Sequence, residues 1–435
     1  MSAKVSPWIG LLGLDGWRYH FAKAISWNAL GSLVNAGCNI GLAVALARIL
    51  GQEQFGKWSV VQNTMITVAG VAQLSIGQAA TKFVAQFRAR DPARTVQIIR
   101  LCRLATVTMA ALASIVMVAG GNVIASRWLG SADLGAPVRL CAIAVFFMII
   151  TGLQMGILTG LGRFREQAFV LVGTSCLGLV AVAAAARVGG LNDAVVVLGV
   201  VAAILCVFSE RLIGRVIDCN WLCLSSIQSI DVRMVASFAI PAALGGMISM
   251  PAQWFAYSCL VRQPSGFAEM GLFSAGNTFR AVVLFAPLLS NRVSNSFLNH
   301  ELAQPGSGNF RRMFATNVKL TVAMIAVGAI GVAVAGPWAL TLFGGTFAVG
   351  TPILLVLLLA GFFEATMVSY YQAIQSRGLM WLSLWSVVLP RDILIALGAW
   401  LLTPRLGALG LAIAFASGHA VALFVTAGLA RKLNR

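Results

Sequence analysis

Apolar segments about twenty residues long follow one another along almost the whole chain. A transmembrane helix needs about 20 mostly apolar residues to cross the hydrocarbon core of a bilayer. Hydrophobic residues make up 59% of the sequence and charged residues 10%, whereas soluble domains carry roughly 25% charge. The sequence therefore predicts an all-α integral membrane protein and excludes a soluble enzyme, a disulfide scaffold and a disordered chain. The twelve predicted segments, numbered in chain order, are 24–49, 58–81, 104–125, 138–160, 167–187, 194–214, 234–258, 271–296, 317–342, 352–375, 380–402 and 406–429.

Six segments lie on each side of a short polar stretch, which predicts two six-helix lobes. We expect an N-lobe at 24–218 and a C-lobe at 234–430, joined by a cytoplasmic linker at 219–233. An N-terminal segment, 1–23, and a tail, 431–435, flank the lobes. No loop is long enough to hold a soluble catalytic domain, which argues against an enzyme.

Two shorter stretches are predicted to lie on the membrane surface. The apolar run 8–14 is too short to span the bilayer, and basic residues follow it. The stretch 82–103 alternates apolar positions such as Phe83 and Ile99 with five arginines. A basic amphipathic helix of this kind lies on a leaflet of anionic lipids. The sequence therefore predicts contact between 82–103 and anionic lipids.

Basic residues divide unevenly between the two sides of the predicted membrane. Of the 31 Lys and Arg residues, 21 fall on the side that holds both termini, 7 on the other and 3 inside segments. Basic loops stay in the cytoplasm, so both termini are predicted to be cytoplasmic. The formal charge of +18 is explained by this topology. No basic run is interleaved with exposed aromatic residues, so we do not expect nucleic-acid binding.

The sequence contains no recognisable catalytic or metal-binding pattern. Most of the eight cysteines lie inside apolar segments, and the three histidines are far apart, which argues against a metal site. Neither a phosphate-binding loop for ATP nor a nucleophile elbow is present. We therefore expect a protein that is not an enzyme and has no cofactor.

Short matches recur at a nearly constant interval along the chain. Gly56 and Gly271 both follow a segment and begin similar four-residue stretches. Gly162 and Gly378, after the fourth and tenth segments, are separated by the same interval to within one position. An even number of segments per half predicts two halves of the same topology, related by an axis along the membrane normal. The alternative is chance similarity between apolar sequences.

The first segment carries a narrow polar stripe. Asn28, Ser32, Asn35 and Asn39 fall within an arc of about 60° on a helix that turns about 100° per residue. Such a stripe faces protein or water in a bilayer. One reading is hydrogen bonding between packed helices. The other is a wall of a hydrated cavity.

The eighth segment repeats this pattern with more charge. Asn277, Arg280, Asn291 and Asn295 share an arc, and Arg292 lies at its edge. Arg280 lies about ten residues in from the outer end, too deep for its charge to reach the membrane surface easily. An ionisable group at that depth indicates a functional site. The alternative is a structural ion pair.

Two carboxylates lie deep in predicted segments. Asp392 follows Arg391 directly, and Glu364 lies in the tenth segment. Neighbours on a helix point about 100° apart, so we expect Arg391 and Asp392 to have partners elsewhere. One possibility is neutralisation through Arg391–Glu364 or Arg280–Asp392 pairs. The other is that Asp392 or Glu364 carries a coupling H⁺ or Na⁺.

The seventh segment contains two prolines, Pro241 and Pro251. Proline removes a helical hydrogen bond and bends the helix. The bend could act as a gate or could be permanent, and the sequence leaves both readings open.

Three short stretches resemble a known family. The stretches are 47–56 (ARILGQEQFG), 159–164 (TGLGRF) and 237–241 (SFAIP). They are similar to the Wzx-type polysaccharide transporters, flippases of the multidrug/oligosaccharidyl-lipid/polysaccharide (MOP) exporter superfamily. The resemblance extends over nearly the whole chain in its layout of segments.

The resemblance implies a MATE-like fold, with two six-helix lobes around a cationic central cavity, in the bacterial inner membrane. It implies that an undecaprenyl-pyrophosphate-linked oligosaccharide moves from the cytoplasmic to the periplasmic leaflet by alternating access. Polysaccharide polymerases and glycosyltransferases are the implied protein partners. Arginine matches phosphate oxygens well, so Arg280 and then Arg391 are expected to bind the pyrophosphate. The residues expected to bind sugar hydroxyls are Asn277, Asn291, Asn28, Asn35 and Asn39.

Three alternatives are weighed against this resemblance. Drug exporters of the same superfamily, coupled to a cation, typically carry an aspartate in the first segment, and this one has none. Peptidoglycan-precursor flippases typically add two segments. A membrane-embedded glycan polymerase or ligase would need a large outer loop, and the predicted outer loops are short.

Overall fold

The computed structural model describes residues 16–216, 229–302 and 309–433, and the regular structure of these residues is helical. The predicted surface run 8–14, linker residues 219–228 and the last two residues lie outside this description. The helices are α1 Gly16–Ala72, α2 Ile76–Phe87, α3 Pro92–Val123, α4 Gly135–Gly160, α5 Phe164–Gly214, α6 Ser229–Val261, α7 Gly266–Leu302, α8 Asn309–Thr341, α9 Thr351–Gln375, α10 Met380–Ser383 and α11 Leu389–Leu433. Short π- or 3₁₀-helical turns extend or join them at Ile124–Trp128, Ala132–Leu134, Gly345–Gly350 and Leu384–Val388.

Three of these helices are too long for one crossing of the membrane. α1, α5 and α11 contain 57, 51 and 45 residues, and a helix of 45 residues extends about 68 Å, twice the hydrocarbon core. Each contains one glycine with a non-helical backbone: Gly51, Gly190 and Gly407. Among the described residues nine helices are long and apolar enough to cross, counting the bent α6. Dividing three of them at these glycines is consistent with the twelve predicted crossings.

The turns collect at two ends of the bundle, here called the terminal face and the opposite face. At the terminal face, Arg88 lies against Gly162, and Arg377 Nη2 donates to the carbonyl oxygen of Leu433 (3.0 Å). The turns at this face are 88–91, 161–163 and 376–379. The opposite face carries the three glycine breaks and the turns 129–131, 262–265 and 342–344.

Backbone conformation repeats between the two halves of the chain. Positive φ angles recur in pairs that are separated by nearly the same interval, always at turns or breaks. The pairs are Gly51 (80°) and Ser265 (58°), Gly130 (68°) and Gly344 (138°), Gly162 (75°) and Gly378 (69°), and Gly190 (71°) and Gly407 (55°). The predicted match between Gly162 and Gly378 is therefore confirmed in backbone conformation.

The prediction of a surface helix at 82–103 is wrong. α2 continues to Phe87, and after a four-residue turn α3 begins at Pro92. Phe83 and Ile99 are buried in a core shared with α4 and α6. Helical periodicity identifies the apolar face of a helix, but it does not tell whether lipid headgroups or other helices cover that face.

One apolar core joins the two halves near the opposite face. The ring of Phe55 lies 6.0 Å from that of Phe343 and 6.1 Å from that of Phe347. Trp254 Nε1 donates to Thr64 Oγ1 (2.8 Å) across the same boundary. The halves are therefore packed together at this end of the bundle.

Candidate functional site

A buried ion pair lies inside the second half of the chain, between α7 and α9. Arg280 Nη1 pairs with Glu364 Oε2, and Arg280 Nε donates to Asn277 Oδ1 (2.8 Å). Gly361, one turn before Glu364, leaves space for the arginine, because a Cβ there would lie 3.0 Å from Arg280 Cγ. The Arg280 side chain is 14% exposed and that of Glu364 24%. Arg280 therefore faces protein, and Asn277 lies beside it as predicted.

A second ion pair lies at the start of α11. Arg391 Nε donates to Asp392 Oδ1 (2.8 Å) and Arg391 Nη2 to Ser249 Oγ on α6 (2.8 Å). Ser249 Oγ in turn donates to Asp392 Oδ2 (2.5 Å). Both residues have the predicted partner elsewhere, Ser249, but the expectation that Arg391 and Asp392 do not face each other is wrong. The long, flexible arginine side chain turns back to the neighbouring carboxylate, and Ser249 holds both groups.

The two predicted pyrophosphate ligands are thus each matched by a carboxylate in this conformation. The pairs observed, Arg280–Glu364 and Arg391–Asp392, differ from the two pairs that the sequence suggested. The group carries two positive and two negative charges, so a cationic site here requires that an arginine leave its carboxylate.

A histidine that the sequence analysis set aside belongs to the same region. His419, on α11, is only 5% exposed, and its Nδ1 has no hydrogen-bond partner within the described residues. It lies close enough to Glu364, Arg280 and Arg391 for their charges to act on it. Its position inside the twelfth apolar segment was the available signal, because an ionisable group in a membrane segment indicates function.

The polar stripe of the first segment packs partly against α5. Asn35 Oδ1 accepts hydrogen bonds from Ser175 Oγ (2.8 Å) and from Asn39 Nδ2 (3.2 Å). Asn39 is exposed. The side chain of Asn28 lies outside the described part. The reading as hydrogen bonding between packed helices therefore holds for Asn35, and the reading as a wall of a hydrated cavity stays a prediction for Asn39.

Asn291 does not line an open wall in this structure. It is 3% exposed, and its Oδ1 accepts from Asn317 Nδ2 and Gln372 Nε2 (both 3.0 Å). Eleven residues separate Asn291 from Arg280, about 16 Å along a helix. The two residues share an arc of α7 and both contact α9, but Asn291 is also covered by α8 through Asn317.

The predicted kink in the seventh segment is present. α6 bends by 45° between Val232–Ala239 and Ala243–Val261, around Pro241, while Pro251 lies in the helical stretch that follows. Gating by these prolines stays a prediction.

A buried ion pair in the first half was missed. Arg103 Nη2 lies 2.5 Å from Glu210 Oε1, and Gln154 Nε2 donates to Glu210 Oε2 (3.0 Å). Arg103, assigned from the sequence to the surface stretch 82–103, is 4% exposed. Gln154 and Glu210 in the fourth and sixth segments were the signal that could have found this site.

The two halves meet at the opposite face through a reciprocal backbone contact, here called the seam. A Cβ on Gly56 would lie 1.8 Å from the carbonyl oxygen of Phe267, and one on Gly271 would lie 2.3 Å from that of Gln52. Gln52 and Phe267 are separated along the sequence by the same interval as Gly56 and Gly271. The contact is therefore self-complementary, as at a two-fold axis.

Further contacts close the same end. Arg48 Nε donates to the carbonyl oxygen of Leu342 (2.7 Å) at the end of α8, and Gln52 Nε2 donates to that of Ala268 (3.2 Å). Nearer the terminal face the halves also touch where Lys82 lies 4.2 Å from the ring centre of Phe238. A path between the halves that opens to the opposite face would require the seam to separate.

Solved structures show the fold of the chain. The chain is similar to a multidrug resistance MATE family transporter of the MOP superfamily in an inward-facing conformation, with a TM-score of 0.78, 14% identity, and 92% of this chain and 94% of that chain covered. It is also similar to a MOP superfamily transporter from Pyrococcus furiosus, with a TM-score of 0.66, 14% identity, and 99% and 98% covered. The fold is that of a multi-pass MOP membrane transporter.

Sequence comparison then gives the family. Residues 21–290 match the family described as "Polysaccharide biosynthesis protein", and the chain belongs to it. It is also 26% identical over 185 residues to the lipid III flippases of Escherichia coli (strain K12) and Shigella flexneri. These matches span 42% of this chain and 44% of each relative. The relatives are transporters, not enzymes.

Proposed function

We propose that the protein is a flippase that moves an undecaprenyl-pyrophosphate-linked oligosaccharide between the leaflets of the bacterial inner membrane by alternating access. The observation that carries the proposal is the Arg280–Glu364 pair, buried in the membrane-spanning part of a polysaccharide-biosynthesis family member. Ionisable groups in membrane helices are costly and mark sites of function. The name of the lipid III flippase relatives supports a lipid-linked substrate.

In this proposal the terminal face is cytoplasmic, and both termini lie there. The excess of basic residues in the predicted loops of this face supports the orientation. Exposed arginines near its turns, such as Arg88, Arg163 and Arg215, are suited to the anionic lipids of that leaflet. Glycosyltransferases that build the substrate would act on the same side, and a polymerase would act on the other.

The head group would travel between the two halves while the lipid tail stays in the bilayer. Its pyrophosphate would bind the guanidinium of Arg280, and then that of Arg391, through paired hydrogen bonds. Asn277, Asn35 and Asn39 would meet the sugar hydroxyls. Release at the opposite face follows when the Gly56–Gly271 seam separates and the terminal face closes. The carboxylate freed in this exchange, Glu364, would need a new counter-charge, which a coupling H⁺ or Na⁺ would supply, whereas Asp392, the other coupling site predicted from the sequence, keeps its pair with Arg391.

The test is complementation of a strain that lacks its own oligosaccharide flippase but keeps the matching glycosyltransferases. Wild-type protein is expected to restore surface polysaccharide. Arg280→Ala is expected to abolish it because the pyrophosphate loses its ligand, and so is Arg280→Ala/Glu364→Gln, in which no stranded carboxylate lowers the protein level. Arg187→Ala, which removes an exposed arginine of α5, is the matched control and is expected to complement.

The outcomes separate the alternatives. Wild-type polysaccharide in Arg280→Ala cells would overturn the site. Resistance to cationic drugs without restored polysaccharide would assign the chain to the drug exporters, whose fold it shares. Polymer or ligated glycan formed by the purified protein from substrate already in the outer leaflet would assign it to the polymerases or ligases.

A further inference from the structure

The two ion pairs of the second half differ in whether their partners can separate. Arg391 and Asp392 are neighbours on α11, and Ser249 holds both, so any movement of α11 carries the pair together. Arg280 and Glu364 lie on different helices, α7 and α9. The Arg280–Glu364 pair is therefore the one that an incoming anion can divide.

His419 lies beside the pair that can separate. Its imidazole is buried, its Nδ1 lacks a hydrogen-bond partner among the described residues, and the ring of Phe415 lies 6.4 Å away. The ring is thus enclosed by protein and has a free site for a proton. The charged and titratable groups near it are Arg280 from α7, Glu364 from α9, Tyr257 from α6, and Arg391 with its partner Asp392 from α11 itself.

The balance of charge changes when substrate binds. With Arg280 on Glu364, the positive guanidinium opposes a second positive charge on His419. Once a pyrophosphate takes Arg280, Glu364, whose side chain is only 24% exposed, becomes a carboxylate without its counter-ion, which is unfavourable. A neutral group that can accept a proton, and on which the charge of Glu364 acts, is the imidazole of His419.

We propose that His419 is the proton-accepting residue that couples substrate binding to proton movement. The inference rests on the proposed flippase function. One proton passes from water to the His419 imidazole as the anionic head group displaces Glu364 from Arg280, and the imidazolium becomes the counter-ion of Glu364. When the substrate leaves, Arg280 returns to Glu364 and the same proton leaves for water. Asp392, held by Arg391 and Ser249, takes no part in the exchange.

The experiment measures proton uptake on binding. The purified full chain in lipid nanodiscs is titrated calorimetrically with farnesyl pyrophosphate at pH 7.5, in HEPES and in Tris. The difference between the heats in the two buffers gives the number of protons taken up. Wild type is expected to take up close to one proton more per ligand than His419→Gln, and Glu364→Gln is expected to match His419→Gln.

The pH dependence gives a second readout that a purely structural role would not change. As the pH is lowered from 8 to 6, the affinity of the wild type for the ligand is expected to rise by up to about tenfold per pH unit, which is the limit for one linked proton. This rise is in addition to the change that ionisation of the ligand itself causes. In His419→Gln only the ligand's own contribution should remain. His300→Gln removes another of the three histidines and should behave as wild type.

Each outcome decides one point. Binding with equal proton uptake in wild type and His419→Gln would overturn the role of His419. Binding that depends on Na⁺ and shows no proton uptake would overturn proton coupling. If wild type does not bind farnesyl pyrophosphate at all, the proposed pyrophosphate site fails instead. Monodisperse elution and measurable binding by the variants exclude misfolding as the cause.

Discussion

The two halves of the chain place the same kind of bond at matching positions but give it different charge. In the first half, Ser175 Oγ donates to Asn35 Oδ1 (2.8 Å). In the second half, Ser249 Oγ donates to Asp392 Oδ2 (2.5 Å), and Arg391 completes the group. Ser249 follows Asn35, and Asp392 follows Ser175, by nearly the interval of the repeat. The repeated scaffold keeps the contact between helices, while only the second half makes it ionic.

Nearer the terminal face the charge is on the other half: the first half has the ion pair and the second half has a neutral network. Arg103 and Glu210 form a buried ion pair in the first half. Asn317, at nearly the position that the repeat makes equivalent to Arg103, belongs instead to a neutral network with Asn291 and Gln372. Buried charge therefore lies toward the terminal face in the first half and near the middle of the bundle in the second. The halves share a fold, and the placement of charge distinguishes them.

The largest expected effect is at the seam, where the halves should respond alike. Gly56→Val places a Cβ against the carbonyl oxygen of Phe267, and Gly271→Val places one against that of Gln52. Backbone cannot move aside cheaply, so each change should prevent closure and lower flipping in proteoliposomes at least tenfold. Gly428→Ala, at a helical glycine with no atom near its Cβ position, is the control. A strong effect of only one substitution would break the two-fold equivalence.

The next effect separates stability from transport at the central pair. Arg280→Met leaves Glu364 buried without its partner and should lower stability by about 3–5 kcal/mol. The double variant Arg280→Met/Glu364→Gln should recover the apparent unfolding temperature, since neither charge remains. It should not recover surface polysaccharide, because no guanidinium is left for the pyrophosphate. Recovery of both would make the pair purely structural.

Breaking the two networks nearer the terminal face should lower the free energy of unfolding by different amounts. Arg103→Ala strands the Glu210 carboxylate and should cost about 3–5 kcal/mol. Asn317→Ala removes neutral hydrogen bonds and should cost about 1–3 kcal/mol. Thermal unfolding in one detergent measures both variants. Equal losses would show that the difference in charge has no energetic consequence.

The smallest effect is expected at a partly exposed pair near the opposite face. Lys57 Nζ lies 2.8 Å from Asp133 Oδ2 and 3.4 Å from Glu53 Oε1, and both carboxylates are mostly exposed. Lys57→Met should therefore lower the free energy of unfolding by only about 0.5 kcal/mol, and by less in high salt. The unfolding temperature at two salt concentrations checks this. A loss comparable to that of Arg103→Ala would contradict the contrast between buried and exposed pairs.

Much of the architecture was predictable because lipid imposes a simple rule. Each crossing needs an apolar helix of nearly fixed length, and turns need residues such as Gly162 and Gly378 that tolerate positive φ. The positions of the crossings and the register of the repeat could therefore be predicted. The surface helix at 82–103 could not be judged correctly, since the same periodicity suits burial against protein.

Periodicity failed for the polar residues for a related reason. Periodicity gave the angular positions of Arg280 and Asn291 on α7. It could not show that Arg280 contacts Glu364 or that Asn291 contacts Asn317, because both partners are on other helices. His419 looked isolated because its neighbours come from other helices. The separation of polar side chains into binding candidates and packing contacts depends on which helices are adjacent.

The sequence by itself determined that this chain crosses a membrane many times, as two similar halves with ionisable residues inside them. Segment length, apolar content and repeated spacing are local properties, and the bilayer acts on them segment by segment. The tertiary structure alone decided that Arg280 meets Glu364, that Arg391 turns to its own neighbour, and that the halves close at Gly56 and Gly271. Pairing and closure depend on distances between helices far apart in the chain, and only the packing of those helices sets these distances.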